Sequence, residues 1–455
     1  MRRLVLPLAA AAAFLGAALF AHTRAMPAGP TGPLNVIVLL IDTLRADHLG
    51  MYGYARPTSP RLDAFARRGL LFKNARSQAP CTFPSVNSLL TSRDPAHFLG
   101  QAGGRFGIPR RFTTLQEVLG ERGYKTMAVS ASPIVRKSPH KLNPHGGFDR
   151  GFDVFDEQCL QRRAPCLARV TQELLARPVE PFFLYLHYFD PHYAYEPPDE
   201  VRHTFTVPGR RRLPRGRDLD AVSESYYKKG PRIELSEEDQ RLVVGLYDEE
   251  ILFMDRHIGL LLDWLEEQGL LRRSLVAVVA DHGEEFFDHG HVFHCRTLYD
   301  AVLRTPMILS LPGARRAAVI EAPVENRDLM PTILDYLGID ATALPLEGQS
   351  LRPLIEEGRA VRERAFAQQL GFRSVADRSH KLIVDLYTGG FTLFDLEADP
   401  GETRDVLHQQ RREFRALKDA LWAHLDAVEG GAANRTTLRR AEESLAALRA
   451  LGYLN

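Results

Sequence analysis

Four short segments of this sequence carry side chains that could do chemistry together. They are Ile41-Asp42-Thr43-Leu44-Arg45-Ala46-Asp47-His48, Pro80-Cys81-Thr82-Phe83-Pro84-Ser85, His187-Tyr188-Phe189-Asp190-Pro191-His192 and Asp281-His282-Gly283-Glu284-Glu285. Asp42, Asp281 and His282 offer two carboxylates and an imidazole, a set that can hold one divalent cation. A strand-end aspartate taken alone more often caps a helix. The last segment resists that explanation, because His289, His291 and His294 follow His282 within thirteen positions. Thr82 stands just before an apparent helix start, Ser85 to Thr91. A hydroxyl there is placed to attack an anionic ester, whose oxygens the helix dipole and free N–H groups would favour. A metal beside it would lower its pKa and neutralise developing charge. Capping alone is the commoner role for residues such as Thr82 and Ser85. His192 leads into the loop Tyr193-Ala194-Tyr195-Glu196-Pro197-Pro198 and can serve as a general acid or hold substrate oxygens. His187 has apolar neighbours and reads as a core histidine.

These segments need a scaffold that brings them to one edge. Asn35 to Ile41 is a continuous β-branched and aliphatic run, the mark of a strand buried on both faces. Thr126 to Ser130, Phe182 to His187, Leu275 to Ala280 and Met307 to Leu311 share that character. Helical patterns at Thr114 to Arg122 and Asp239 to Gln268 lie between them, so the spacing predicts a doubly wound, largely parallel α/β sheet. Ligands of such sheets bind at the carboxyl ends of the strands, where Asp42, His187 and Asp281 fall. Pro197 to Glu234, rich in Pro, Arg and Gly, reads as a long surface insertion, either a lid or loop facing the substrate or a mobile decoration. After Leu346 the pattern becomes a hairpin, Lys381 to Val384 and Phe391 to Phe394 around Gly389-Gly390, with a helix from Arg404 to Val428 packed on it. The predicted division is 34–345 for the catalytic domain, 346–430 for a smaller C-terminal α+β subdomain, and 431–455 for a helical tail with Leu438, Leu445, Leu448 and Leu451 on one face.

The chain has 455 residues, enough for two domains, and a formal net charge of +1, which gives no footprint for nucleic acid. Arg210-Arg211-Arg212 reads as a solvated loop. Met1-Arg2-Arg3 followed by apolar Leu4 to Phe20 reads as an export signal over residues 1–25 or, uncleaved, as a membrane anchor. The run falls slightly short of the ~20 residues a spanning helix wants. In an exported protein the four cysteines point to disulfides, and Cys159 and Cys166 could close a small loop.

Taken in order, the segments resemble the sulfatase family of the alkaline-phosphatase superfamily. The resemblance rests on Asp42 to Tyr54, on Thr82-Phe83-Pro84-Ser85 leading into Ser88-Leu89-Leu90-Thr91, on His187 to His192, and above all on Asp281 to Gly290. Glu347-Gly348-Gln349-Ser350-Leu351 and Leu393-Phe394-Asp395-Leu396 extend it towards the C-terminus. It implies one divalent metal at the sheet's carboxyl edge, with Asp42, Asp281 and His282 as ligands and Thr82 as nucleophile and fourth ligand. It also implies that His192 and His294 handle the leaving group and the anion.

The departures from the family pattern carry information. Sulfatases place a cysteine at the nucleophile position and convert it to formylglycine in a Cys-x-Pro-x-Arg context. Here Thr82 stands two before Pro84, Cys81 lies one place too early, and Val86 replaces the arginine. A threonine alkoxide can be phosphorylated and then hydrolysed, whereas a sulfated threonine lacks formylglycine's elimination route. Phosphate or phosphonate esters are therefore expected, with sulfate esters as an alternative and, for an anchored protein, phosphoethanolamine-type transfer to an envelope lipid or glycan. His282 occupies a place often held by Asn, which moves the expected metal from calcium or magnesium towards zinc or manganese. If the Thr82 and His294 segments converge on that metal, a Cys81–Cys295 disulfide would pin them together; the alternative is two separate small buried residues. The expected partner is a small-molecule or envelope glycan or lipid ester, in the periplasm or outside the cell.

Overall fold

In the computed structural model, which describes residues 32–98, 107–161, 163–207, 219–225, 232–312 and 317–429, the apolar runs become strands. The strands are β1 (Asn35–Ile41), β2 (Leu70–Arg76), β3 (Lys125–Ser130), β4 (Val154–Asp156), β5 (Phe182–Tyr188), β6 (Ser274–Ala280), β7 (Glu285–Phe286), β8 (Val292–Phe293), β9 (Met307–Ser310), β10 (Ala318–Glu325), β11 (Ala365–Gln369), β12 (Phe372–Ala376), β13 (His380–Asp385) and β14 (Gly390–Asp395). Eight of them form one sheet in the order β10-β2-β9-β6-β1-β5-β3-β4. Every pairing in it is parallel except those of β9 with β2 and β6. The fold is therefore the expected α/β class with a largely parallel central sheet.

Side chains alternate across a strand, so β1 feeds two cores. Ile37, Leu39 and Ile41 join the cluster on one face, and Val36, Val38 and Leu40 the cluster on the other. The helices that cover the sheet include α1 (Pro60–Ala66), α2 (Thr82–Thr91), α3 (Leu115–Glu121), α4 (Ala164–Leu174), α5 (Leu219–Ser225) and α6 (Glu237–Glu267). A capping box between Thr114 and Glu117 starts α3 where the sequence placed it. The four-stranded antiparallel sheet β11-β12-β13-β14 carries the helix Arg411–Glu429, with Val375, Leu382, Val384, Leu393, Leu417 and Leu421 among the residues between them.

Three expectations change. The C-terminal helix begins at Arg411 rather than Arg404, because the Asp399 carboxylate takes the N–H groups of Thr403 and Arg404 into a turn. The insertion after Pro197 is not purely superficial, since Val201, Leu219 and Val222 are buried and the last two belong to the main core. The helix expected from Ser85 starts at Thr82, with Pro84 in its first turn, where a missing N–H breaks no helical bond. The leader at 1–25, Arg210 to Arg212 and the tail at 431–455 lie outside the described residues. Among the described residues, no helix is long and apolar enough to cross a membrane.

Two buried charges make the packing testable. Lys381 on β13 is fully buried and reaches Asp300 Oδ1 at 2.8 Å and Glu402 Oε1 at 2.9 Å, while Arg76 on β2 holds the other Asp300 oxygen at 2.8 Å. This network ties the small sheet to the large one. Lys381→Met should cost about 3–5 kcal/mol, since it leaves buried carboxylate without its cation; urea unfolding measures it. Asp255 on α6 accepts the backbone N–H groups of Arg61 and Leu62 at the start of α1, at 2.9 and 2.7 Å. Burial pushes its carboxyl up to about 7. A carboxyl raised on folding contributes stability that is present below its unfolded value, about 3.9, and lost as pH rises through the folded one. The thermal-stability advantage of the wild type over Asp255→Asn should therefore shrink between about pH 4 and pH 7.

Candidate active site

The site sits at the carboxyl edge of the three central strands. β1 lies between β6 and β5, with Ile41 opposite both Ala280 and Tyr188 and Leu40 opposite His187. Neighbouring strands are about 4.8 Å apart, so this register places Asp42, immediately after β1, beside Asp281, immediately after β6. Asp42, Asp281 and His282 are fully buried, and one ligand-type atom from each lies within 4.8 Å of the others.

The donor set is suited to a cation. Asp281 Oδ1 accepts the N–H groups of His282 and Thr43 at 2.8 and 3.2 Å, while Asp281 Oδ2 and Asp42 Oδ1 have no hydrogen-bond partner. His282 Nδ1 lies 2.9 Å from the carbonyl of Gly283. A carbonyl only accepts, so Nδ1 carries the proton and Nε2 presents its lone pair towards Asp281 Oδ2, 3.4 Å away. Burial, with the neighbouring His294, pushes the His282 imidazole down to about 3, which keeps that lone pair free. Burial would raise the Asp42 carboxyl, but the imidazoles around it, His187 foremost, hold it well below the usual carboxylate range. Burial and then the charge of Asp42 push the Asp281 carboxyl well above that range. Two buried carboxyl groups, each with an oxygen that lacks a hydrogen-bond partner, beside the lone pair of His282 Nε2 fit a divalent metal. Gly283 is required in the same segment, because a Cβ there would lie 2.1 Å from the Ala301 carbonyl oxygen.

Thr82 arrives from the other side. It is the first residue of α2 and buried, and its Oγ1 lies 3.2 Å from His282 Nε2. Ser85, one turn on, donates its hydroxyl to the Asp281 carbonyl at 2.6 Å and so ties α2 to the end of β6. The Cys81–Cys295 disulfide, with Cα atoms 4.9 Å apart, joins the residue before Thr82 to the residue after His294. Gln369 on β11 donates to the Cys295 carbonyl at 3.1 Å, so the small sheet braces this link. The second bridge, Cys159–Cys166, closes the short loop expected of it.

His192 and His294 complete the cluster. The His294 ring lies 4.5 Å from that of His282 and 5.1 Å from that of His192, centroid to centroid. His192 donates Nδ1–H to the Tyr193 carbonyl at 2.7 Å and stacks on Phe189. His294 donates Nδ1–H to Glu284 at 2.8 Å, and the other Glu284 oxygen accepts from the Tyr195 hydroxyl at 3.0 Å. Burial would lower the His294 imidazole, but the Glu284 carboxylate raises it above its ordinary value. In both histidines the proton on Nδ1 leaves Nε2 for a ligand.

All six residues singled out in the sequence, Asp42, Thr82, His192, Asp281, His282 and His294, therefore belong to one cluster. Two further ones were missed. His187, read as a core histidine, is buried but turns Nε2 to within 3.5 Å of Asp42 Oδ2, while its Nδ1 meets the Tyr185 hydroxyl at 2.9 Å. Glu284 was quoted in its motif without a role; the antiparallel pairing of Glu285 with Phe293 is what sets it opposite His294.

A mostly parallel sheet with buried acidic and histidine side chains on its carboxyl edge, facing a hydroxyl at a helix N-terminus, defines a hydrolase of the alkaline-phosphatase type. The sulfatase family model matches residues 34–339, and a model described as N-sulphoglucosamine sulphohydrolase, C-terminal, matches residues 287–430; the chain belongs to the sulfatase family. It is 24% identical over 476 residues to an arylsulfatase of Clostridium perfringens, covering 87% of this chain and 95% of that protein. Among solved structures it superposes on one in complex with its substrate D-glucosamine-2-N,6-O-disulfate, with a TM-score of 0.71 and 18% identity over 88% of this chain and 99% of the other. It also superposes on a phosphonate monoester hydrolase from Silicibacter pomeroyi, with a TM-score of 0.68 and 21% identity over 87% and 96% of the two chains.

Proposed function

We propose that this chain is an exported metal-dependent hydrolase that cleaves a phosphonate- or phosphate-type ester through Thr82. The observation that carries the reading is the Thr82 hydroxyl at the N-terminus of α2, 3.2 Å from His282 Nε2 and beside the Asp42 and Asp281 carboxyl groups. Asp42, Asp281 and His282 would hold the metal, and the imidazole nitrogen would favour zinc or manganese over calcium or magnesium. When bound, such an ion lowers the pKa of a neighbouring hydroxyl and neutralises ester charge. Thr82 then attacks phosphorus, forming an O-phosphoryl or O-phosphonyl threonine as the ester oxygen departs. His294, oriented by Glu284, and His192 protonate that departing oxygen and hold the anion. Water attacks the phosphorus of the intermediate and returns Thr82. Residues 34–345 are the catalytic unit, and 346–430 brace it through Gln369 and Lys381. The N-terminal basic-apolar pattern and the two disulfides support export.

The names of the relatives favour a second reading, a sulfate ester as substrate. Purified protein should be assayed side by side on an aryl sulfate, a phosphate monoester, a phosphodiester and a phosphonate monoester sharing one leaving group. The Thr82 reading expects a phosphorus ester to be turned over fastest. If the aryl sulfate is much the best substrate, the preference is wrong. Release to an added alcohol instead of water would make the protein a transferase.

A further inference from the structure

Beyond His192 and His294 the site opens into a cavity of about 810 Å³, within the usual range for a small-ligand pocket. Its walls come from three parts of the chain: Ile134 and Leu142 after β3, Phe293 on β8, and Leu370, Phe372 and Ile383 from the small sheet. Asp220, His291 and Arg296 also line it, and some of its polar groups are committed to the protein. The Thr297 hydroxyl donates to Glu285 at 2.9 Å, the Tyr193 hydroxyl donates to Asp220 at 2.9 Å, and the Tyr299 ring stacks on His289. A sugar needs hydrogen-bond partners at each hydroxyl, and an unpaired one costs of order 1–3 kcal/mol. The apolar part of this wall, from Ile134, Leu142, Phe293, Leu370, Phe372 and Ile383, has no such partner to offer.

The mouth is apolar as well. Leu142 and Leu370 are exposed large hydrophobic residues, at 38% and 66% of their surface. Leu370 lies in the two-residue turn between β11 and β12 with φ 47°, a left-handed conformation in which Asn or Gly costs least. A leucine there holds an apolar side chain out over the pocket entrance.

We propose that this pocket receives an apolar alkyl leaving group, so that the substrate is an ester of a long-chain alkyl alcohol and not of a sugar. The proposal rests on the ester-hydrolase reading of the adjoining cluster. Its occupant follows from continuity: His192 and His294 form the inner wall of the cavity and face the departing oxygen, so the alcohol part of the ester must extend into it.

The test uses the full purified protein with metal and two readouts. The first is kcat/KM for ethyl, butyl and octyl monoesters of one phosphonate, whose leaving groups have similar pKa values, beside the glucose 6-ester. The second is equilibrium binding of ethylphosphonic and octylphosphonic acids, which needs no turnover. We expect kcat/KM to rise at least tenfold from ethyl to octyl, the sugar ester to fall below butyl, and octylphosphonic acid to bind at least tenfold tighter than ethylphosphonic acid. The double variant Leu142→Ser/Leu370→Ser should flatten both series several-fold, whereas Leu260→Ser, exposed elsewhere on α6, should keep them. A flat series, a preference for the sugar ester, or a chain-length effect untouched by the double variant overturns the proposal. Tight, variant-sensitive octyl binding without turnover of any ester would overturn the hydrolase reading while the pocket stands.

Discussion

Thr82→Ala should lower kcat by at least 10³-fold, with Thr82→Ser staying within about tenfold of the wild type. Removing a covalent nucleophile takes away the step that splits the reaction, and such losses range up to about 10⁶-fold. Structural damage cannot mimic the effect. The Thr82 hydroxyl meets His282 at 3.2 Å and the Asp281 carboxyl, and deleting a bond of that kind costs about 1 kcal/mol. The alanine variant should therefore unfold close to the wild type in urea while failing in turnover. Serine keeps the hydroxyl at the first position of α2 and loses only a methyl. Rapid quench adds a second readout: a phosphoryl or phosphonyl group should be trapped on wild type and serine variant, and absent from the alanine variant. Unchanged turnover in Thr82→Ala removes the nucleophile assignment.

The chemistry was more legible in the sequence than the scaffold around it. β1, β5 and β6 are buried on both faces, so they read as unbroken apolar runs, and each delivers a polar residue at or near its end. That coincidence exposes Asp42 and Asp281 without any register. β2 and β10 went unseen for a physical reason. β10 is an edge strand, exposed along its first half and broken by a register shift before Pro323, and β2 carries Lys73 and Asn74 in its middle. His187 and Glu284 required the pairing itself. A histidine among Leu186, Tyr188 and Phe189 reveals its partner only when β5 is laid against β1. Of two consecutive glutamates, only the β7–β8 ribbon decides which one faces His294.

Chelation should lower the unfolding temperature of the wild type by several degrees, and Asp281→Ala should abolish both the metal and that response. The carboxyl groups of Asp42 and Asp281 have ligand atoms within 4.8 Å of each other and are buried. Two unit charges at that separation would repel by about 3 kcal/mol at an effective dielectric constant near 20, and this repulsion, added to burial, is what pushes the Asp281 carboxyl up when no cation is bound. A divalent cation turns this repulsion into attraction, and its binding free energy adds to the stability of the folded state alone. Elemental analysis of dialysed protein should find one zinc or manganese per wild-type chain and almost none in Asp281→Ala. The alanine variant also loses a buried carboxyl that is costly to ionise beside Asp42, so its folded state should be no less stable than the chelated wild type. This separates loss of metal from loss of fold. His282→Asn, which keeps a polar side chain but removes the imidazole nitrogen, should retain a site and shift it from zinc towards calcium. A wild type that contains no metal and melts at the same temperature with and without chelator would leave the two unpartnered carboxylate oxygens unexplained, and would remove the metal from the mechanism together with its effect on Thr82.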